Sequence, residues 1–181
     1  MENILAVDAS TKRTGLATII NGQIKYSVIA SSSANVEKRI GIMRDGIIQF
    51  IKDNNIDKVI LEEVHTEVAN NHIQKMLTWL QGCIVVAIFE YNKNIKVEFI
   101  GASSWRSVLG LQGYRVKREQ QKQKDIDYVN STYGLSLTTS QDDEADAICI
   151  LTAYLKNSDK MILKEVVNTK PQSILEYESA F

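Results

Sequence analysis

Residues 3–30 read NILAVDASTKRTGLATIINGQIKYSVIA, and their pattern sets the start of the fold. It contains apolar segments at residues 3–7, 15–20 and 24–30, each with the length of a strand. Only Asn21 and Gly22 separate the second segment from the third, and this dipeptide is the one most typical of a tight hairpin. The sequence therefore predicts an antiparallel meander at the start of the chain.

Helices and strands alternate after the meander. Apolar residues recur at helical spacing over residues 35–53, so the apolar run at residues 58–62 is expected to pair parallel to the first strand. The remaining predicted elements are a long apolar helix over residues 72–91, a strand at 96–100, and helices over 103–109, 117–131 and 142–155. The predicted fold class is α/β, with three antiparallel strands followed by two parallel strands in one sheet flanked by helices.

Composition places the chain among single globular domains. It has 181 residues, of which 44% are apolar, enough to bury a sizeable core. We expect one domain over residues 1–156 and a C-terminal tail over residues 157–181. Without a membrane span or signal peptide in the sequence, we expect a cytoplasmic protein with no membrane partner. Cys83 and Cys149 lie in apolar runs and are expected to be buried free thiols.

Charge is balanced overall and uneven locally. A net charge of −1 speaks against nucleic-acid binding, which usually shows as a basic surface. Residues 112–124, however, carry one acid and a cluster of bases: Arg115, Lys117, Arg118, Lys122 and Lys124. Such a local excess of positive charge favours phosphate contact over an ordinary solvated helix.

Four acids occupy positions that suit a site. Asp8 and Glu62 end two neighbouring predicted strands, where open α/β sheets bind their ligands. Asp143 and Asp146 are three residues apart, so they project from one face of a largely apolar helix. Burying them costs several kcal/mol unless a partner compensates. Hard cations prefer carboxylate oxygens, so a pair of Mg²⁺ ions, or Mn²⁺ as the alternative, is the expected partner, and such a pair can hydrolyse phosphodiesters. No organic cofactor is expected.

Structural explanations exist for each acid. Asp143 can cap a helix together with Ser140, and Asp146 can be a first-turn acid that the helix dipole favours. Glu62 and Glu63 can form a solvated strand end. Together these explanations account less well for acids that interrupt three separate apolar segments.

Three motifs resemble the RuvC family of Holliday-junction resolvases: DASTKRTG at residues 8–15, VILEEV at residues 59–64 and DEADA at residues 143–147. The resemblance spans roughly residues 1–155 and implies a ribonuclease H-like fold. It also implies a homodimer that cuts four-way DNA junctions with Mg²⁺ or Mn²⁺, leaving 5′-phosphate ends. The metal ligands that it implies are Asp8, Glu62, Asp143 and Asp146. Glu63 remains an alternative to Glu62, because a shift of one residue reverses which side chain faces the site.

The same resemblance nominates contacts to DNA. Arg106 matches a basic residue that touches DNA, and the start of the basic helix matches a segment that brings a lysine near the scissile phosphate. Lys117 is the first choice for that catalytic lysine and Lys122 the second, with Arg115 and Arg118 beside them as DNA contacts.

One position departs from the family pattern. The bacterial resolvases place a stacking aromatic after the second motif, whereas this chain has His65, so junction geometry and sequence preference are open. His65 and Asn70 are nevertheless predicted DNA contacts. The alternative is that both His65 and His72 are partly exposed loop residues.

Three other functions compete with branched-DNA cleavage. A related nuclease that processes ribosomal RNA precursors shares the first motif. An actin-like or sugar-kinase ATPase has a similar phosphate loop but needs a second domain. A DNA-binding protein without catalysis would keep its acids for structural reasons.

Overall fold

A computed structural model of the chain describes residues 2–64, 71–113 and 116–157. His65, Asn70, Arg115 and the tail from residue 158 lie outside the described residues.

The strands form one five-stranded mixed sheet in the order β3-β2-β1-β4-β5. Their bounds are β1 Ile4–Asp8, β2 Arg13–Ile20, β3 Gln23–Ala30, β4 Lys58–Glu62 and β5 Lys96–Ile100. Strands β1, β2 and β3 are antiparallel neighbours, whereas β4 runs parallel to β1 and β5 parallel to β4. At the β2–β3 turn, Asn21 and Gly22 have φ values of 54° and 78°, the left-handed conformation of a tight hairpin. The predicted α/β sheet is therefore confirmed.

Helices cover both faces of the sheet. Their bounds are α1 Val36–Asn54, α2 Asn71–Tyr91, α3 Ala102–Leu109, α4 Arg118–Tyr133 and α5 Asp142–Asn157. Alternate residues of β1 divide the core: Leu5 and Val7 face α1 and α2, while Ile4 and Ala6 face α3, α4 and α5. The molecule thus has three layers, and its buried strands read as nearly continuous apolar runs.

Helix α2 leaves one apolar face uncovered. Leu80, Ile84 and Ile88 are fully buried against the sheet and α1. The opposite face exposes three large apolar side chains to more than half: Trp79, Val86 and Phe89. Near the two ends of the helix, Ile73 and Tyr91 are each 45% exposed. Cys83 is also exposed, so its predicted burial is wrong, because this face has no covering element among the described residues. Cys149 is buried as predicted.

Over His72–Tyr91, α2 is long and apolar enough to cross a membrane by length and composition only, and 17% of its most apolar window is buried in the fold. The sequence predicts no such span, because it has no uninterrupted apolar run of sufficient length. The two criteria measure different things. Polar residues interrupt the apolar run of α2, but its mean hydropathy remains within the range of membrane spans.

Gly15 allows α5 to approach β2 closely. A Cβ atom on Gly15 would lie 1.9 Å from the backbone oxygen of Asp143. Since the obstacle is main chain, a side chain here forces the start of α5 away from the sheet. Gly15 therefore sets the position of the helix that carries Asp143 and Asp146.

We predict that Gly15→Ala lowers the free energy of unfolding by about 1–3 kcal/mol, the usual cost of overpacking. Gly41→Ala, in the interior of α1 with nothing within 4 Å of an added Cβ, is the matched control and should raise it by about 0.5–1 kcal/mol. Urea unfolding followed by circular dichroism measures both. Equal effects of the two substitutions would contradict the close approach.

Candidate active site at the carboxyl end of the sheet

The ends of β1 and β4 place two carboxylates side by side. In the parallel register Val7 pairs with Leu61, so the following residues, Asp8 and Glu62, emerge at the same edge of the sheet. Both line a groove of about 1210 Å³ that crosses this edge. Glu63 does not line the groove, and its Oε2 lies beside Gly101, 3.9 Å from where a Cβ would stand. The strand register thus brings Glu62, rather than Glu63, together with Asp8.

Helix α5 brings the other two predicted acids to the same groove. Asp143 and Asp146 lie in its first turns and both line the groove. Asp143 accepts a hydrogen bond from Arg13 Nε at 2.7 Å. Ser140 does not form the cap considered for Asp143: its hydroxyl bonds Thr138, and its carbonyl accepts from Arg13.

Burial and mutual repulsion raise the pKa values of two of these acids. For Asp8 the largest cause is loss of hydration, followed by the negative charges of Glu62, Asp146 and Asp143. The pKa of Asp146 is raised to about 7, and the largest cause is again loss of hydration, followed by the negative charge of Asp125. Carboxylates gathered in this way are costly without a compensating cation.

Arg106 supplies part of that compensation. Its Nε and Nη2 donate to Asp125 Oδ2 at 3.2 and 3.1 Å, and Nη2 lies 3.8 Å from Asp146 Oδ2. The guanidinium also stacks on the Trp105 ring, 4.1 Å from its centroid. Gln121 completes the network by donating to Asp125 Oδ1 at 2.8 Å. Arg106, the predicted DNA contact, lines the groove but already pairs with two acids of its own chain.

The predicted basic residues of α4 divide into two groups. Arg118 and Lys122 line the groove, and Lys122 Nζ pairs with Asp142 Oδ2. Lys117 is the residue before the first turn of α4 and does not line the groove. The structure therefore places Lys122, the second choice for the catalytic lysine, nearer to the acids than Lys117.

Two contributors to the site escaped the sequence analysis. Asp125 is fully buried, and its signal was available, because it shares a helical stripe with the buried residues Val129 and Tyr133. Arg13 pairs with Asp143, a residue 130 positions away, so no local pattern predicts that contact.

The donor set suits a hard divalent cation by its chemistry. Asp146 Oδ1 is buried without a hydrogen-bond partner among the described residues, and Asp8, Glu62 and Asp143 lie near enough to repel. No group of three His, Cys, Asp or Glu ligands within the described ranges already has the geometry to hold a metal. Asp8, Glu62, Asp143 and Asp146 still fit such a cation, because they supply carboxylate oxygens and one of these oxygens has no other partner among the described residues.

We predict that stability without divalent metal falls as pH rises from about 4 to about 7. Because the folded pKa of Asp146 exceeds its ordinary value of 3.8, the folded state holds a proton that the unfolded chain has lost. That proton contributes a slope of at most about 1.4 kcal/mol per pH unit, and Asp146→Asn should remove it. Urea unfolding in EDTA across this range measures the slope. Asp127→Asn, an exposed acid on α4, should follow the wild type; a wild-type slope in Asp146→Asn would refute the assignment.

Solved structures of Holliday-junction resolvases share this fold. The T. thermophilus RuvC in complex with Holliday junction substrate superposes with a TM-score of 0.65 at 15% identity, covering 88% of this chain and 96% of that one. The yeast mitochondrial Holliday junction resolvase superposes with a TM-score of 0.54 at 15% identity, covering 90% of this chain and 80% of that one. The fowlpox virus resolvase in complex with substrate Holliday junction DNA superposes with a TM-score of 0.52 at 18% identity, covering 86% of this chain and 98% of that one. The fold is therefore RuvC-like and ribonuclease H-like, as predicted.

Sequence comparison gives the family. Among curated proteins none matches the chain. A family model described as Lactococcus phage M3 protein matches residues 1–156, well over half of the chain. This chain therefore belongs to the Lactococcus phage M3 protein family.

Proposed function

We propose that the protein is a divalent-metal-dependent endonuclease that hydrolyses phosphodiesters in branched DNA, including Holliday junctions. One observation carries the proposal: three separate elements bring Asp8, Glu62, Asp143 and Asp146 to one groove that basic residues also line. Similar folds are solved with Holliday junction DNA bound, which supports the substrate class. Forks and three-way junctions are further candidate substrates.

The same four acids would hold Mg²⁺, or Mn²⁺ in its place. When bound, such ions supply an activated water and stabilise the leaving oxygen in phosphodiester hydrolysis. Asp8 and Glu62 sit on rigid strand ends, while Asp143 and Asp146 sit on α5. Arg13 and Arg106 neutralise Asp143 and Asp146 until a cation does so, because each lies within 4 Å of one of these carboxylates.

The basic lining of the groove would hold the DNA backbone over the acids. Arg118 and Lys122 present positive charge from α4 on one side of the groove. Arg106, Lys117, Arg115, His65 and Asn70 remain proposed DNA contacts from the sequence. Because Arg106 is only 22% exposed and already paired, we expect its main effect to be on Asp146 rather than on DNA.

The proposed nuclease domain covers residues 1–156, with residues 157–181 as a tail, and works as a homodimer. The uncovered apolar face of α2, with Trp79 and Phe89 each more than half exposed, supports the dimer, since monomers rarely expose contiguous apolar patches of this kind. A monomeric mass by light scattering at micromolar concentration would count against it.

We predict that purified protein cuts a labelled four-way DNA junction in Mg²⁺, and that Asp8→Asn and Asp146→Asn each lower the cutting rate at least about 100-fold. Both variants should still bind the junction in EDTA, because neither removes a basic residue. Asp127→Asn is the matched control, an exposed acid away from the groove, and should cut at the wild-type rate.

Linear duplex, three-way junction and structured RNA serve as parallel substrates. Undiminished cutting by Asp8→Asn would overturn the assignment of the acids. Cleavage of RNA alone would favour a nuclease acting on ribosomal RNA precursors. Binding without cutting by the wild type would favour a DNA-binding protein without catalysis.

A further inference from the structure

A buried arginine lines the groove on the side away from α4. Arg39 lies at the start of α1 and is only 6% exposed. Its Nη1 donates to the backbone oxygens of Ser33 and Ala34 at 2.8 and 3.2 Å. Its Nε is buried with no hydrogen-bond partner among the described residues. The side chain is therefore fixed in place with part of its donor capacity unused.

No carboxylate balances this charge within the described part of the chain. Arg39 appears in none of the ion pairs there, whereas Arg13, Arg44 and Arg106 each pair with an acid. Taking a guanidinium out of water without a counter-anion is costly. An unpaired buried arginine at a groove thus indicates that an anion occupies the groove in the functional state.

The topology places Arg39 at the same edge of the sheet as the acids. Strand β3 runs parallel to β1 because both are antiparallel to β2, so α1, which follows β3, begins at the edge where Asp8 emerges. A hydrogen bond of 2.9 Å from Ser31 N to Lys12 O ties the segment before α1 to the β1–β2 turn. Lys12 is exposed and lines the groove beside Ser10, Thr11 and Arg39.

We propose that Arg39 and Lys12 form a second phosphate-binding site, which holds a backbone phosphate of nucleic acid on the α1 side of the groove. A planar guanidinium fixed by two carbonyls offers its remaining donors to phosphate oxygens with little loss of conformational entropy. Arg118 and Lys122 lie in the opposite helical layer, so the backbone is held from both sides of the acids.

This inference rests on the proposed function for its ligand, and metal-free binding tests it separately from catalysis. The affinity for a fluorescent four-way DNA junction is measured in EDTA at several salt concentrations. Losing one phosphate contact reduces the slope of log affinity against log salt by about one. We expect Arg39→Gln to weaken binding roughly tenfold, the effect of one lost charge-assisted hydrogen-bond pair, and to reduce the slope by about one.

Arg44→Gln is the matched control on the same helix. Arg44 pairs with Asp45 and does not line the groove, so this variant should keep both affinity and slope. Arg39→Lys should keep the slope because it keeps the charge. Lys12→Gln, an exposed position, should reduce the slope by about one as well, and it serves where Arg39→Gln does not fold.

If Arg39→Gln and Lys12→Gln both keep the wild-type slope of log affinity against log salt, the inference is overturned. Weaker binding by Arg39→Gln with an unchanged slope would also overturn it, because that result indicates a purely structural role for Arg39. Inorganic phosphate at matched ionic strength separates the two sources of the anion. Suppose that phosphate stabilises the wild type against heat but not Arg39→Gln, while the wild type fails to bind the junction. That result would overturn binding of nucleic acid here and would indicate a site for free phosphate instead. If both variants reduce the slope but the wild type cuts no substrate, the phosphate site is supported and the proposed catalysis is refuted.

Discussion

The parallel pairing of β1 with β4 is the constraint on which the site depends. With Val7 opposite Leu61, the residues that follow, Asp8 and Glu62, must emerge together, whatever their mutual repulsion. Apolar side chains on both faces of these strands hold the register, since a slip of one residue would expose them. The core thus keeps two carboxylates together at an electrostatic cost that only positive charge can offset.

Helix α5 adds to that cost, and the chain offsets part of it with its own arginines. Gly15 lets the start of α5 lie against β2, which brings Asp143 and Asp146 to the edge of the sheet. Arg13 bonds Asp143, and Arg106 lies between Asp125 and Asp146. These contacts make the acidic groove stable enough to fold while leaving Asp146 Oδ1 without a partner among the described residues.

The sheet and most helices could be predicted because their patterns are local. The Asn21-Gly22 turn, the apolar strands and the spacing of α1 each depend on neighbours in sequence. Asp8 and Glu62 followed from strand ends in the same way. Arg13 with Asp143, and Arg39 beside the groove, could not be predicted, since tertiary packing alone brings them there. Asp125 was missed although its helical stripe was visible, and the pattern of apolar residues in α2 does not say which of its faces stays exposed.

Titration of the metal-free protein with Mn²⁺ by calorimetry shows whether these acids form a cation site. We expect saturable binding with proton release near neutral pH, because Asp146 has a pKa of about 7 and must lose its proton to bind a cation. Asp8→Asn should abolish or greatly weaken this binding. Absence of binding in the wild type, or equal binding in Asp8→Asn, would contradict a cation site at these acids.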